Sequence, residues 1–95
     1  AKNYQEAVHW YQRAAKQGYA NAQYNLGLLY VRGEGVKRNL IQAYAWLNIA
    51  LARGGNEHEK RFRDHVFSQL KPEEQKQARR LSEEYWEQYV KPFNQ

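Results

Sequence analysis

The chain has 95 residues and a net charge of +5, which is enough length for one small domain with a modest core. Its hydrophobic and aromatic fractions, 42% and 15%, exclude a disordered tail. The absence of Cys excludes disulfides, thiolate metal sites and thiol nucleophiles. The longest uncharged apolar run, near residues 43–52, is too short to span a bilayer. The chain lacks Met, so we expect a processed or cut form whose targeting signal lies upstream.

The positive charge is concentrated in the first half of the chain. Residues 1–52 carry six basic and two acidic side chains, whereas residues 53–95 carry nine and eight. The mixed second half is typical of solvated helices with pairs four residues apart. The excess in the first half is interpreted as solubility charge, with attraction of an acidic partner as the alternative.

An internal repeat appears when the chain is shifted on itself so that Asn3 meets Asn39. The same shift pairs further identical residues: Ala7 with Ala43, Trp10 with Trp46, Ala14 with Ala50, and Gly18 with Gly54. The register then fades, because Gly27 would face Arg63. The sequence therefore predicts one complete helical repeat, the first helix of a second, and a different closing segment.

The repeated residues have positions that suit helix ends. Asn3 and Asn39 can cap helices, and Glu6 and Gln42 stand three residues later, where a side chain can reach back to the cap. Helical stripes follow each cap, and Gly can end each helix in a left-handed conformation. The stripes are Tyr4, Ala7, Tyr11 and Ala14 in the first helix, and Leu40, Ala43, Leu47 and Ala50 in its equivalent.

These patterns predict an all-α fold with helices near 3–17, 20–32, 40–53, 56–69 and 72–90. Gly27 lies inside the second helix, where Gly costs about 1 kcal/mol relative to Ala. We therefore expect a neighbouring helix to approach closely there. In helix 40–53 a second face is apolar, whereas its equivalent in the first helix is polar. We expect the closing helix to bury Trp46 and Ile49 on that face.

The motifs of residues 2–55 resemble the Sel1-like repeat (SLR) family. They are Trp10-Tyr11, Ala14-Ala15, Gly18, Ala20-Asn21-Ala22-Gln23, Leu26-Gly27, Tyr30 and Gly33-Glu34-Gly35-Val36. Beyond Gly54 the pattern departs, because Asn56 and His58 replace the two Ala residues, and residues 56–95 resemble the closing segment of such arrays. The resemblance implies a tetratricopeptide-like helical solenoid in residues 1–55, a C-terminal capping segment, no catalysis and no cofactor. It also implies adaptor roles in bacterial assemblies, and we expect the periplasm or cell envelope rather than the cytoplasm.

Three histidines and a glycine-rich turn are candidate sites of metal binding, phosphate binding or catalysis. His9, His58 and His65 lack the spacing of a zinc motif and are interpreted as structural or exposed side chains. The Gly33-Glu34-Gly35 turn follows a helix rather than a strand, so it is an inter-repeat turn and no phosphate loop. Thr is absent, and the chain has two Ser residues without a nucleophile motif. We predict no metal site and no enzymatic activity.

The predicted function is binding of another protein on the concave surface of the repeats. By family analogy the first helix of each repeat lines that surface, so the candidate contact residues form a basic polar strip suited to an acidic segment: Gln5, His9, Gln12, Arg13 and Lys16. The alternative is a binder of an anionic polymer, either nucleic acid or envelope glycan, through Trp, Tyr and basic side chains. We favour packing for the aromatics, because most of them occupy repeat positions. The third hypothesis is that this segment is only a terminal cap of the repeat array and contacts no partner.

The N-terminal face is a candidate for self-association. If the preceding repeat is absent, we expect an uncovered apolar side there, formed by Tyr4, Val8, Tyr11 and Tyr19. Repeat arrays need about three units to bury a continuous core. The closing helix carries Glu83, Glu84 and Glu87, which indicates a polar cap at the other end of the chain. The sequence therefore predicts a two-fold homodimer through the N-terminal face.

Overall fold

The computed structural model describes residues 3–93, which form five α-helices and contain no strand. The helices are α1 (Tyr4–Lys16), α2 (Ala20–Arg32), α3 (Leu40–Leu51), α4 (Glu57–Ser68) and α5 (Pro72–Tyr89), followed by a 3-10 turn over Lys91–Phe93. The predicted all-α fold and its five helices are confirmed. None of the helices in this part of the chain is long and apolar enough to cross a membrane.

Asparagine caps begin three of the helices. The Glu6 N–H donates to Asn3 Oδ1 at 3.0 Å, and the Gln42 N–H donates to Asn39 Oδ1 at 3.0 Å, so both predicted caps are confirmed. The Glu6 carboxylate accepts from the Asn3 side-chain amide at 3.4 Å rather than from the backbone. A reciprocal box forms at α4 instead, where the Asn56 N–H donates to Glu59 and the Glu59 N–H donates to Asn56. In all three helices the Asn side chain accepts the capping hydrogen bond, whereas the reciprocal bond to the Asn backbone N–H is made at α4.

Close packing of α2 against α3 explains the glycine inside α2. A Cβ atom at Gly27 would lie 2.8 Å from Cγ of Leu47 and 3.2 Å from the Ala43 carbonyl oxygen. Only a residue without a Cβ permits this approach, so the predicted role of Gly27 is confirmed. The contact brings together the deepest part of the core, where Leu26 and Leu47 are completely buried.

The closing helix α5 crosses α3 on its second apolar face. The Trp46 ring lies 4.4 Å from the Tyr85 ring and 5.4 Å from the Tyr89 ring, measured between centroids. Trp46 is 3% exposed and Ile49 is 1% exposed. The prediction that both residues are buried by the closing segment is confirmed.

The end of α5 reaches the turn between α1 and α2. Phe93 packs on Gly18, where a Cβ would lie 2.8 Å from the Phe93 ring. The φ of +92° at Gly18 independently favours Gly. The Gln23 side-chain amide, on α2, donates to the Tyr89 carbonyl oxygen at 3.2 Å. The closing helix is therefore fixed at both its middle and its end.

The expectation of an uncovered N-terminal apolar face was wrong for Val8. Val8 is 5% exposed because the inter-repeat turn folds over α1, and a Cβ at Gly35 would overlap the Tyr4 carbonyl group and lie 2.9 Å from Cγ2 of Val8. Tyr4 and Tyr11 are half-buried, and Tyr19 is 65% exposed. Homodimerisation itself stays a prediction, to be checked by sedimentation over a range of concentrations.

Candidate partner-binding surface

The five candidate contact residues lie together on one side of α1. Their spacings of three and four residues place Gln5, His9, Gln12, Arg13 and Lys16 along one face, which is called the α1 strip below. Gln12 is half-buried and the other four side chains are exposed. Val8 and Ala15 occupy the buried side of the same helix. The structure therefore brings the predicted residues together on a surface open to a partner.

Trp10 lies at the edge of the α1 strip and is an exception to the expectation that the aromatic side chains at repeat positions pack in the core. It is 56% exposed, its ring meets the His9 ring edge to face at 5.5 Å, and the Arg13 guanidinium lies 5.5 Å from the centroid of the indole ring. A cation over an indole face is weakly attracted to it. The repeat pairs Trp10 with Trp46 but does not show which of the two is covered. Helix α5 lies on α3 and buries Trp46, whereas Trp10 stays exposed.

The charges of the α1 strip have no partner within the described chain. Over residues 3–93 the ion pairs join Arg32 to Glu34, Arg63 to Asp64, Lys76 to Glu73 and Lys91 to Glu87, so Arg13 and Lys16 take no part in them. Both residues stand in the last turn of α1, where the helix dipole favours positive charge. The strip therefore presents cations that a carboxylate of another molecule can pair.

The face of α3 that is equivalent to the α1 strip is covered by α5 and differs from the strip in its residues. Ala45, Trp46 and Ile49 occupy the places of His9, Trp10 and Arg13, and all three are buried. Beside them the Asn48 side-chain amide donates to the Ser82 hydroxyl of α5 at 2.8 Å. Burial raises the pKa of Tyr85, whose ring packs against Trp46, to about 12. On this face a helix of the same chain fills the position that remains open on α1.

An acidic groove of about 610 Å³ lies where α3 meets α5. Ile49, Ala52 and Trp86 contribute its apolar part, and its charged lining consists of the Arg80 guanidinium and three carboxylates: Glu83, Glu84 and Glu87. The Lys91 ammonium pairs with the Glu87 carboxylate at 3.3 Å. The groove and the α1 strip thus have opposite charge.

The residues considered for chemistry lie apart from one another. Ser82 is bonded to Asn48, and the Ser68 hydroxyl donates to the His65 carbonyl oxygen at 2.6 Å, so neither hydroxyl is paired with an imidazole. His58 is exposed, and His65 contacts the Gln69 side chain at 3.3 Å. Within residues 3–93 no three His, Asp or Glu side chains are placed to hold a metal ion.

Comparison with known proteins identifies the repeat. The Sel1 repeat family matches residues 1–19 and 20–55, and the second match begins where α2 begins. The chain belongs to the Sel1 repeat family. The solved structure of the protective antigen c5321, present in uropathogenic Escherichia coli strains and displaying an SLR fold, superposes with a TM-score of 0.89 over 97% of this chain at 35% identity. The tetratricopeptide-like helical repeat fold is therefore shown.

A second relative of this Sel1 repeat chain is the chitin synthase regulator SKT5 of Saccharomyces cerevisiae. It is 33% identical over a region that covers 85% of this chain. The chain spans 12% of the yeast protein and 20% of the Escherichia coli antigen chain. Both similarities therefore concern a module of much longer proteins. Sel1 repeats and the SLR fold are typical of modules that bind other proteins.

Proposed function

We propose that this chain is a non-catalytic adaptor module that binds a partner protein through the α1 strip and Trp10. The observation that carries the proposal is the exposed Trp10 ring, flanked by His9 and Arg13, on the face that α5 covers in the next repeat unit. Tryptophan and arginine are enriched among residues that dominate protein interfaces. Arg13 and Lys16 favour a partner segment that carries carboxylates.

The relatives support a role in assembly rather than in chemistry. The yeast protein is named as a regulator of an enzyme, chitin synthase, and the Escherichia coli protein is described as an antigen. Contact between the two chains is one way in which a repeat protein can regulate an enzyme. A comparable contact is the function that we assign to this module.

Site-specific photo-cross-linking in cells tests the proposal. A benzophenone amino acid replaces Gln5, in the α1 strip, and in a matched control it replaces Gln77, an exposed residue of α5 outside the strip. We expect a discrete cross-linked protein from position 5 and none of the same mass from position 77. Equal capture from both positions would contradict a specific role of the α1 strip.

Charge reversal separates protein binding from polymer binding. The double variant Arg13→Glu with Lys16→Glu should abolish cross-linking from position 5, whereas Lys37→Glu with Arg61→Glu makes the same charge change elsewhere and should not. Binding to nucleic acid falls steeply with salt, because phosphate contacts release counterions. Capture of nucleic acid or glycan with that salt dependence would replace the adaptor proposal with the anionic-polymer alternative.

A further inference from the structure

The contact of α5 with α3 is an internal example of a helix docked on a repeat. Tyr85 and Tyr89, spaced four residues apart on α5, both pack against Trp46, the Tyr89 ring stacked on the indole and the Tyr85 ring tilted to it. Their rings lie 5.4 Å apart, so the three aromatic side chains form one cluster. Residues four apart share a helix face, which is why one helix can place two rings on a single indole.

The α1 strip retains the centre of this docking site and changes its surroundings. Trp10 occupies the place of Trp46, while His9 stands at Ala45, Arg13 at Ile49 and Lys16 at Ala52. The aromatic platform is unchanged, and three apolar or small side chains have become basic. The α1 face therefore keeps the central indole of the docking site and suits a helix that carries a different charge.

We infer that the α1 strip receives an amphipathic helix of the partner protein, seated as α5 is seated on α3. The inference rests on the proposed function and names the kind of segment that is bound. The helix carries two aromatic residues four apart, which stack on Trp10, and carboxylates on the side that faces Arg13 and Lys16. A docked helix would cover Arg13, which is exposed in the free chain, and a cation left unpaired at an interface is costly.

A second copy of this chain is a poorer occupant than a partner helix. Tyr85 and Tyr89 of α5 pack against Trp46 of their own chain, so this aromatic pair cannot also pack against Trp10 of a second copy. The carboxylates at the α3–α5 groove could attract the α1 strip of another copy, but they are accompanied there by Arg80. Sedimentation of the chain alone, with Trp10→Ala as the comparison, distinguishes the two occupants.

The experiment uses two synthetic peptides and two forms of the protein. The first peptide has the sequence of residues 72–90, held helical by a hydrocarbon staple between positions 76 and 80. The second is the same peptide with Trp86→Glu, a position that lines the groove beside Ile49 and Ala52 and so would face Arg13 and Lys16 on α1. The protein is either the wild-type chain or the His9→Ala, Arg13→Ile, Lys16→Ala variant, which carries the α3 residues at these three positions of α1. Affinity is measured by fluorescence anisotropy of the labelled peptides.

We expect a reversal of preference between the two proteins. The wild-type chain should bind the glutamate peptide about tenfold more tightly than the unmodified one, and the variant should prefer the unmodified peptide by a similar factor. Trp10→Ala should weaken the preferred complexes about tenfold.

The inference is overturned if neither peptide binds, if the two proteins share one preference, or if Trp10→Ala has no effect. The last result would mean that the peptide displaces α5 from α3. Reversible self-association that Trp10→Ala abolishes would also overturn it, by assigning the face to a second copy. Each of these results can occur while cross-linking from position 5 still captures a partner, so the adaptor proposal is tested separately.

Discussion

Replacement of Gln23 by Leu tests the network that joins the closing helix to the repeat. Gln23 is fully buried, and its amide donates to the Ala15 carbonyl oxygen at 3.0 Å and to the Tyr89 carbonyl oxygen at 3.2 Å. Its side-chain oxygen accepts from the Arg53 guanidinium at 3.0 Å, and the same guanidinium donates to the Gly18 carbonyl oxygen. One side chain thus links α1, α2, the loop after α3, and the end of α5.

The expected cost follows from which groups lose a partner. The Ala15 carbonyl oxygen keeps the Gly18 N–H at 3.1 Å, whereas the Tyr89 carbonyl oxygen loses its side-chain donor. A buried polar group without a partner costs about 1–3 kcal/mol. Gln23→Leu leaves the Tyr89 carbonyl oxygen without its side-chain donor, removes one of the donors to the Ala15 carbonyl oxygen, and removes one acceptor of the Arg53 guanidinium. We therefore expect this substitution to lower the free energy of unfolding by about 2–4 kcal/mol. That is a large share of the stability of a small domain.

Equilibrium unfolding in urea, followed by Trp fluorescence and circular dichroism, measures this cost. The matched control is Gln77→Leu, an exposed glutamine of α5, which should change stability by less than about 0.5 kcal/mol. Gln23→Leu should also be less costly in an Arg53→Met background, because the two residues share one network. A loss below about 1 kcal/mol for Gln23→Leu, or full additivity with Arg53→Met, would refute the argument that this network holds α5 in place.

Three further outcomes are expected from the packing and from one pKa. Gly27→Ala should destabilise the fold, because overpacking against Leu47 costs about 1–3 kcal/mol and exceeds the gain of about 1 kcal/mol in helix propensity; in a Leu47→Ala background, unfolding curves should show no penalty. Trp46→Ala should cost about 3–5 kcal/mol and Trp10→Ala less than about 0.5 kcal/mol in the same assay, and equal costs would contradict the assigned environments. Burial raises the pKa of Tyr85 from 10.0 to about 12, so its hydroxyl ionises first in the unfolded chain. Stability should therefore fall between pH 10 and 12, and Tyr85→Phe should remove that part of the decrease, which pH-dependent unfolding of both proteins can check.

Local and periodic features were predicted correctly from the sequence. The caps at Asn3 and Asn39 depend on a side chain and a backbone N–H three residues apart, and the Gly27 contact follows from the cost of Gly inside a helix. The burial of Trp46 followed from a helix that is apolar on two faces. These features are carried by short stretches of chain, so the amino-acid pattern is sufficient to identify them.

Features that depend on a neighbouring element were missed or misjudged. Trp10 and Trp46 are the same residue at the same repeat position, and their different exposure depends on where α5 lies. Val8 is buried by a turn whose approach requires Gly35 at a φ of +78°, a backbone geometry that residue spacing does not reveal. The bond between Gln23 and Arg53 joins residues that are remote in the sequence. Such contacts are properties of the assembled fold and have no local signal.

The difference between the two equivalent faces indicates how permanently each is covered. The face of α3 carries Ala45 and Ile49, which would be poorly soluble if uncovered, and α5 belongs to the same chain and stays on it. Obligate contacts are more apolar than transient ones, which resemble ordinary surface when they are separated. The face of α1 carries His9 and Arg13 around the same indole, so it can remain in water while it is free. The proposed partner should therefore supply carboxylates to pair Arg13 and Lys16, because binding would remove these exposed cations from water. The polarity of α1 thus favours an exchangeable partner, whereas the apolar face of α3 favours the permanent cover that α5 provides.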